Sequence, residues 1–199
     1  IRALTVTLLG EKDQEVTDVS AADVALAENG VARDITSFKP DRRPLSVAII
    51  VDTSLAMGAS YRLNVVDAVV GFVARLPEGA RYAVWTTGDR PTKIVDHTDD
   101  RQAAGDALRR VAPQGGNMML DAFAEASVDL KKLSREGDRT VVVAVTGTGP
   151  ELSYRDKYRA VEEAEKNAEL FLPAQIDSGD ADFEMRSSVS DVLDRLARA

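Results

Sequence analysis

The sequence predicts an α/β fold: a doubly wound, mostly parallel sheet with helices on both faces, preceded by a small antiparallel β appendage. Three observations carry this expectation. From Leu45 onward, continuous apolar, β-branched runs alternate with amphipathic stretches, and strands that are apolar on both faces need cover on both sides. The first forty residues lack this rhythm and hold alternating runs around an Asn-Gly pair. Between the two regions lies KPDRRP, residues 39–44, whose prolines and charges mark a boundary.

In the appendage, assigned to residues 1–40, ALTVTLL at 3–9 is β-rich. DVALAENGVARDITSF, residues 23–38, reads as a hairpin, because Asn29-Gly30 accepts the positive φ values of a tight turn. The α/β domain, assigned to residues 45–199, opens with a strand at 45–51, followed by a helix at 61–76 with Tyr61, Val65, Val69, Phe72 and Leu76 on one stripe. Residues 81–87 form a second strand, with TKIVD at 92–96 beside it, and RQAAGDALRRV at 101–111 is a short helix. A longer helix at 117–132, a buried strand at 139–146, a charged helix at 154–167 and a strand at 168–176 complete the alternation. DSGDADFE, residues 177–184, is an acidic surface loop, and residues 186–198 form a terminal helix carrying Val189, Val192, Leu193 and Leu196. There is no internal repeat and no low-complexity segment.

Charge narrows the function. A net charge of -8 and a pI near 4.8 argue against a nucleic-acid partner or an anionic membrane surface, since the 25 basic residues are scattered among 33 acids. No apolar run approaches the roughly 20 residues that span a bilayer, so no membrane insertion of this segment is expected. Cysteine is absent, which removes disulfides and thiolate metal sites. The chain opens on Ile1 and ends in a helical pattern at Ala199, so it reads as a piece whose native chain continues.

In doubly wound sheets ligands bind beyond the carboxyl ends of the strands. Three loops fall there: DTSLAMG after the first core strand, QGGNMMLDAF at 114–123, and TGTGPELS from Thr146. In this order they resemble the von Willebrand factor type A domain and its metal ion-dependent adhesion site, whose loops read D-x-S-x-S, G-G-T and T-D-G or S-D-G. The stretch VTDVSAADVALAENGVARDITSFKPDRRPLSVAIIVDTS is similar to the lead-in of a bacterial, often exported branch of that family. The resemblance covers nearly the whole chain. It implies a Rossmann-like domain acting in protein–protein interaction or adhesion, in an extracellular or periplasmic bacterial setting. It also implies a magnesium ion whose open position accepts a carboxylate from the partner protein.

Residue by residue, the sequence departs from that site. Asp52 and Ser54 match the first Asp and first Ser, whereas Ala56 stands in place of the second Ser. Gly115 and Gly116 match, but Asn117 replaces the Thr, and Gly147 takes the position of the second Asp. Magnesium prefers about six oxygens near 2.1 Å. Ala56 and Gly147 offer no side-chain oxygen, so no metal and no cofactor are expected, and Asp52, Ser54, Ala56, Asn117, Gly147 and Thr148 remain as the positions of a degenerate ligand face. On this reading Asp52 accepts loop amides and Ser54 caps the following helix. Two variants stay open: metal-dependent adhesion with magnesium on Asp52, Ser54 and Asn117, and an open helix N-terminus that attracts an acidic partner group unaided.

An enzyme of α/β hydrolase or phosphatase type is the alternative from another class. The DTSLA loop resembles the D-x-D-x-T nucleophile loop of haloacid dehalogenase-type phosphatases, but Ser54 replaces the second acid that would move the proton. A serine hydrolase has no G-x-S-x-G elbow here, and the single His97 reads as an exposed loop residue that nearby acids keep protonated. GTG at 147–149 lacks the third Gly of a dinucleotide fingerprint. Met118 and Met119 read as packing residues, or, if exposed, as a soft contact surface, and Trp85 reads as a core or sheet-edge residue.

Overall fold

The computed structural model describes residues 4–6, 8–14, 16, 18–147 and 149–176. The chain divides into two compact units, Ile1–Arg42 and Arg43–Ala199.

In the first unit, strands β1 (Leu26–Glu28) and β2 (Val31–Arg33) pair antiparallel, with Glu28 opposite Val31. Asn29 and Gly30 turn between them at φ 52° and 78°, the pair of positive values that a two-residue hairpin turn requires. Arg33 closes the pair with a 2.9 Å ion pair to Glu28. The β-rich stretch at 3–9 behaves differently: residues 4–6 and 8 lie in no strand. Leu4, Val6 and Leu9 are all exposed, and β propensity expresses itself only where a pleated surface has something to pack against.

The second unit is built on a five-stranded sheet of β3 (Leu45–Val51), β4 (Arg81–Thr86), β5 (Thr92–Thr98), β6 (Arg139–Thr146) and β7 (Leu170–Gln175), in the order β5-β4-β3-β6-β7. The pairs β3–β4, β3–β6 and β6–β7 are parallel and β4–β5 is antiparallel. The helices are a short α1 (Gly58–Ser60), α2 (Val66–Ala74), α3 (Ala103–Leu108), α4 (Met119–Leu133) and α5 (Lys157–Asn167).

The period of two along each strand sorts the core into two layers. Val47, Ile49 and Val51 face Tyr61, Val65, Val69 and Val73 and α3, while Ala48 and Ile50 face Met119, Phe123 and Leu130 of α4 and Val161 of α5. The central strand is therefore apolar at nearly every position because both sides are covered.

The expected helix at 61–76 is composite. A π turn over Tyr61–Val65 lies between α1 and α2. Its extra residue per turn rotates the buried stripe, so Val66 and Val73 are buried while Phe72 and Leu76 are only partly covered. Tyr61 is fully buried, donates its hydroxyl to the Leu108 carbonyl at 2.8 Å, and has its phenol pushed up to about 12 by burial. No described helix is long and apolar enough to cross a membrane. The expected acidic loop at 177–184 and the terminal helix at 186–198 lie outside the described residues.

Candidate functional site at the carboxyl ends of β3 and β6

Strand order reverses around β3, which continues to β4 on one side and has β6 on the other. The register pairs Val51 with both Thr86 and Val145, so three loops leave the sheet at one level. Asp52 is the first residue beyond the ladder; its N–H still donates to the Val145 carbonyl at 2.8 Å.

The Asp52 side chain is fully buried and surrounded by donors. Oδ1 accepts the Ser54 N–H at 2.9 Å. Oδ2 accepts from Asn117 Nδ2 at 3.0 Å, from Thr146 Oγ1 at 3.0 Å and from the Gly147 N–H at 3.1 Å. A carboxylate has about four lone-pair sites, two on each oxygen; here Oδ2 is fully engaged and Oδ1 holds one bond. Asn117 Nδ2 also reaches Thr146 Oγ1 at 3.2 Å. The opposite amide orientation would set Asn117 Oδ1 against the acceptor-only Asp52 Oδ2, which favours the –NH2 toward the carboxylate.

The neighbouring loops are bound just as closely. Thr53 Oγ1 accepts from the Gly88 N–H at 3.0 Å and the Thr53 carbonyl accepts from the Gln114 N–H at 2.9 Å. A Cβ on Gly88 would lie 2.7 Å from the Gln114 carbonyl oxygen and 2.8 Å from that of Thr53, so only glycine allows this approach.

Of the sequence-predicted positions, Asp52, Ser54, Asn117 and Gly147 converge, with Gly147 contributing a backbone N–H. Ala56 is exposed beneath Gly149, whose added Cβ would sit 2.4 Å from the Ala56 Cβ. Thr148 lies outside the described residues. Ser54 does not cap: it holds an extended backbone before the turn Leu55–Met57, but its buried Oγ has no partner. The backbone N–H of Ser54 is turned into Asp52, and the short 3-10 turn leaves the hydroxyl unaligned with a free amide. Asn117 Oδ1 is likewise buried without a partner.

Two acids that the sequence reading missed organise the third loop. Glu151 Oε2 accepts the Met119 N–H at 3.2 Å, and Glu151 Oε1 accepts the Ser153 N–H at 2.8 Å. Burial pushes the Glu151 carboxyl above its ordinary value, while bonds from Ser153, Leu120 and Met119 oppose the shift. The N-terminus of α4 is thus not open, because an internal carboxylate already occupies its first turn. Asp121, itself buried, accepts the N–H groups of Tyr154 at 3.0 Å and Arg155 at 3.1 Å, and its own N–H donates to Ser153 Oγ at 3.0 Å. These acids carry no spacing motif, since the partners lie some thirty residues apart.

Other candidates resolve elsewhere. His97 lies one residue before the end of β5, the edge strand of the sheet, half-buried, with Nε2 3.4 Å from Ser46 Oγ and Nδ1 unpartnered. Burial, helped by Arg81, lowers its pKa against the pull of Asp129, Asp138 and Asp96, so the exposed, protonated histidine expected from its acidic neighbours is not found. Ser46 is fully buried and donates to Asp138 Oδ2 at 2.7 Å, which leaves no exposed nucleophile in this Ser–His–Asp grouping. Met118 and Met119 are buried and form no contact surface. Trp85 is buried on the α4 face beneath Lys93, whose Nζ lies 5.8 Å from the ring centroid. Among the described residues, no group of three His, Cys, Asp or Glu is placed to hold a metal ion.

A family model described as von Willebrand factor type A domain matches residues 47–150. Among solved structures, a von Willebrand factor type A protein from Catenulispora acidiphila is 19% identical with a TM-score of 0.58, over 76% of this chain and 37% of that one. Manganese-loaded TRAP protein of Plasmodium vivax is 20% identical with a TM-score of 0.56, over 74% of this chain and 62% of that one. An aerotolerance-related membrane protein from Bacteroides fragilis is 14% identical with a TM-score of 0.60, over 78% of this chain and 89% of that one. The chain spans less than two thirds of the length of the first two. No curated protein matches it by sequence. The structural likenesses speak for the shared fold, and the matched segment runs from the central strand through the first two loops into the third, over half of the chain: the chain belongs to the von Willebrand factor type A domain family.

Proposed function

We propose that this domain is a non-catalytic protein-interaction module whose loop face works without a metal ion. The observation that carries the reading is the state of Asp52, whose carboxylate is buried and already accepts hydrogen bonds from Ser54, Asn117, Thr146 and Gly147. The family's magnesium asks for about six oxygens in octahedral array. Here Asn117 turns an –NH2 toward the carboxylate, and Ala56 and Gly147 supply no side-chain oxygen, so these residues do not fit the ion.

The second reading, metal-dependent adhesion through Asp52, Ser54 and Asn117, draws on the two buried oxygens without partners, Ser54 Oγ and Asn117 Oδ1. The manganese-loaded relative shows that the fold can carry an ion elsewhere in the family. Thermal melts in magnesium, manganese or EDTA separate the readings. A ligand that binds only the native state at roughly a hundred times its dissociation constant adds about 2.7 kcal/mol. Superimposable melts support the metal-free module, and a rise of several degrees with the cation supports the second reading.

The hydrolase and phosphatase alternatives gain no support, since Ser54 is not an acid and Ser46 is buried. The partner is proposed to be another protein. An extracellular or periplasmic bacterial setting is proposed with it, in keeping with the likeness to the Bacteroides fragilis membrane protein.

A further inference from the structure

We propose that Asn29 is a site of spontaneous covalent modification, at which the Gly30 backbone nitrogen attacks the Asn29 carboxamide and the turn becomes aspartate or isoaspartate. The site lies in the first unit and stands independently of how the loop face around Asp52 is read.

The chemistry needs only hydroxide and water. When hydroxide removes the Gly30 N–H proton, the nitrogen attacks Asn29 Cγ; the new C–N bond forms, the C–NH2 bond breaks and ammonia leaves. Water then opens the five-membered imide at either carbonyl. One opening restores the ordinary peptide bond and leaves aspartate, whereas the other routes the main chain through the Asn29 Cβ and leaves isoaspartate. Nothing is oxidised or reduced, and each product carries one more negative charge than asparagine.

The hairpin leaves this route open. Gly30 carries no side chain to shield its nitrogen, and a Cβ placed there would meet nothing within 4 Å. Every residue from 25 to 34 is exposed, the two turn residues included. Each strand is only three residues long, and its apolar side chains stay in water, Leu26 at 37% and Val31 at 55% exposure. The ion pair between Arg33 and Glu28 is half-exposed and adds little. A two-stranded hairpin without a packed face is marginal in water. That weakness sets the rate, because the imide cannot close while Asn29 and Gly30 hold φ 52° and 78°; the peptide between them must first swing out of the turn. Conversion therefore follows the fraction of hairpins that are open, which is large here.

The other three asparagines are held back by both sequence and fold. Each precedes a residue whose side chain crowds the attacking nitrogen: Val65, Met118 and Ala168. Asn64 lies in the π turn, Asn117 is 1% exposed and bound to Asp52 and Thr146, and Asn167 donates to the Glu163 carbonyl at 2.6 Å. Selectivity for Asn29 follows.

The two products differ in consequence. Aspartate keeps the turn, since Asp-Gly suits the same positive φ values. Isoaspartate adds a carbon to the main chain between Glu28 and Val31, so a two-residue loop no longer matches the pairing of β1 with β2.

The test incubates the full chain in mildly alkaline buffer and follows its tryptic peptides by mass spectrometry, with isoaspartate read by enzymatic carboxyl methylation. Exchange of NH2 for OH should appear first in the peptide of residues 13–33, faster as pH rises and within about tenfold of the same segment as a free peptide. Gly30→Ala should slow it, because the added methyl crowds the nitrogen. Ala27→Cys with Ala32→Cys places two thiols on facing residues of a chain that has no other cysteine. The disulfide should slow conversion several-fold, and reduction should restore it. Asn29 intact while the free peptide converts, equal conversion at Asn64, Asn117 or Asn167, or equal rates with the disulfide formed and reduced would each overturn the inference.

Discussion

Asp52 finds its hydrogen-bond donors within the chain, all of them neutral. The Asn117 amide stands 3.0 Å from Oδ2, where it supplies polarised hydrogens of the kind a carboxylate otherwise seeks from water or a cation. Asn117→Ala should therefore cost about 1–3 kcal/mol in chemical denaturation, because a buried acceptor loses a donor that water cannot replace. Asn117→Asp sets a second carboxylate against the first; it should destabilise the apo protein and make its melting temperature rise with manganese, which wild type should not show. Asp52 as an acceptor of loop amides was legible in the sequence, since an Asp closing a strand is placed for it. The unpartnered Ser54 hydroxyl was not, because a cap depends on the helix that follows, and here only a short 3-10 turn follows.

His97 carries a pH signature of its own. Burial lowers its pKa below the ordinary 6.5, and a proton on Nδ1 would find no acceptor there. The unfolded chain then takes up the proton first as pH falls, so the contribution is full above 6.5 and is lost as pH drops through that value toward the lowered one. Denaturation midpoints should fall between about pH 7 and pH 5 more steeply in wild type than in His97→Gln. The comparison isolates His97, because Glu151, raised above its ordinary 4.5, adds a slope of opposite sign to both proteins.

At the scale of elements, a latch between α4 and the loop after β6 holds that loop in place. Glu151→Ala leaves the N–H groups of Met119 and Ser153 without an acceptor. A loss of about 1–3 kcal/mol is expected, with hydrogen exchange accelerated at Ser153 and Tyr154 while the β3 amides stay protected. The strands were readable because VAIIV at 47–51 and VVVAV at 141–145 are apolar without a break, which only a doubly covered strand tolerates. The π turn at Tyr61–Val65 was not, since its extra residue leaves the hydrophobic pattern locally helical and shifts the stripe only downstream. The hairpin was readable from the alternating runs around Asn29-Gly30, whereas the exposed residues 4–6 show that propensity without burial makes no strand.

Across the whole molecule, one topological fact assembles the site: β3 is the middle strand, and the loops after β3 and β6 and before α4 meet at its carboxyl end. That convergence was legible from the order of the three loops. What they hold was only partly so, because Glu151 and Asp121 act through backbone amides that no motif records. Melting wild type and Asn117→Asp side by side in manganese and in EDTA distinguishes internal hydrogen bonds at Asp52 from a bound metal. The wild-type curves should coincide, with a cation-dependent rise confined to Asn117→Asp; a wild-type curve several degrees higher in manganese than in EDTA would mean that the loops bind the ion.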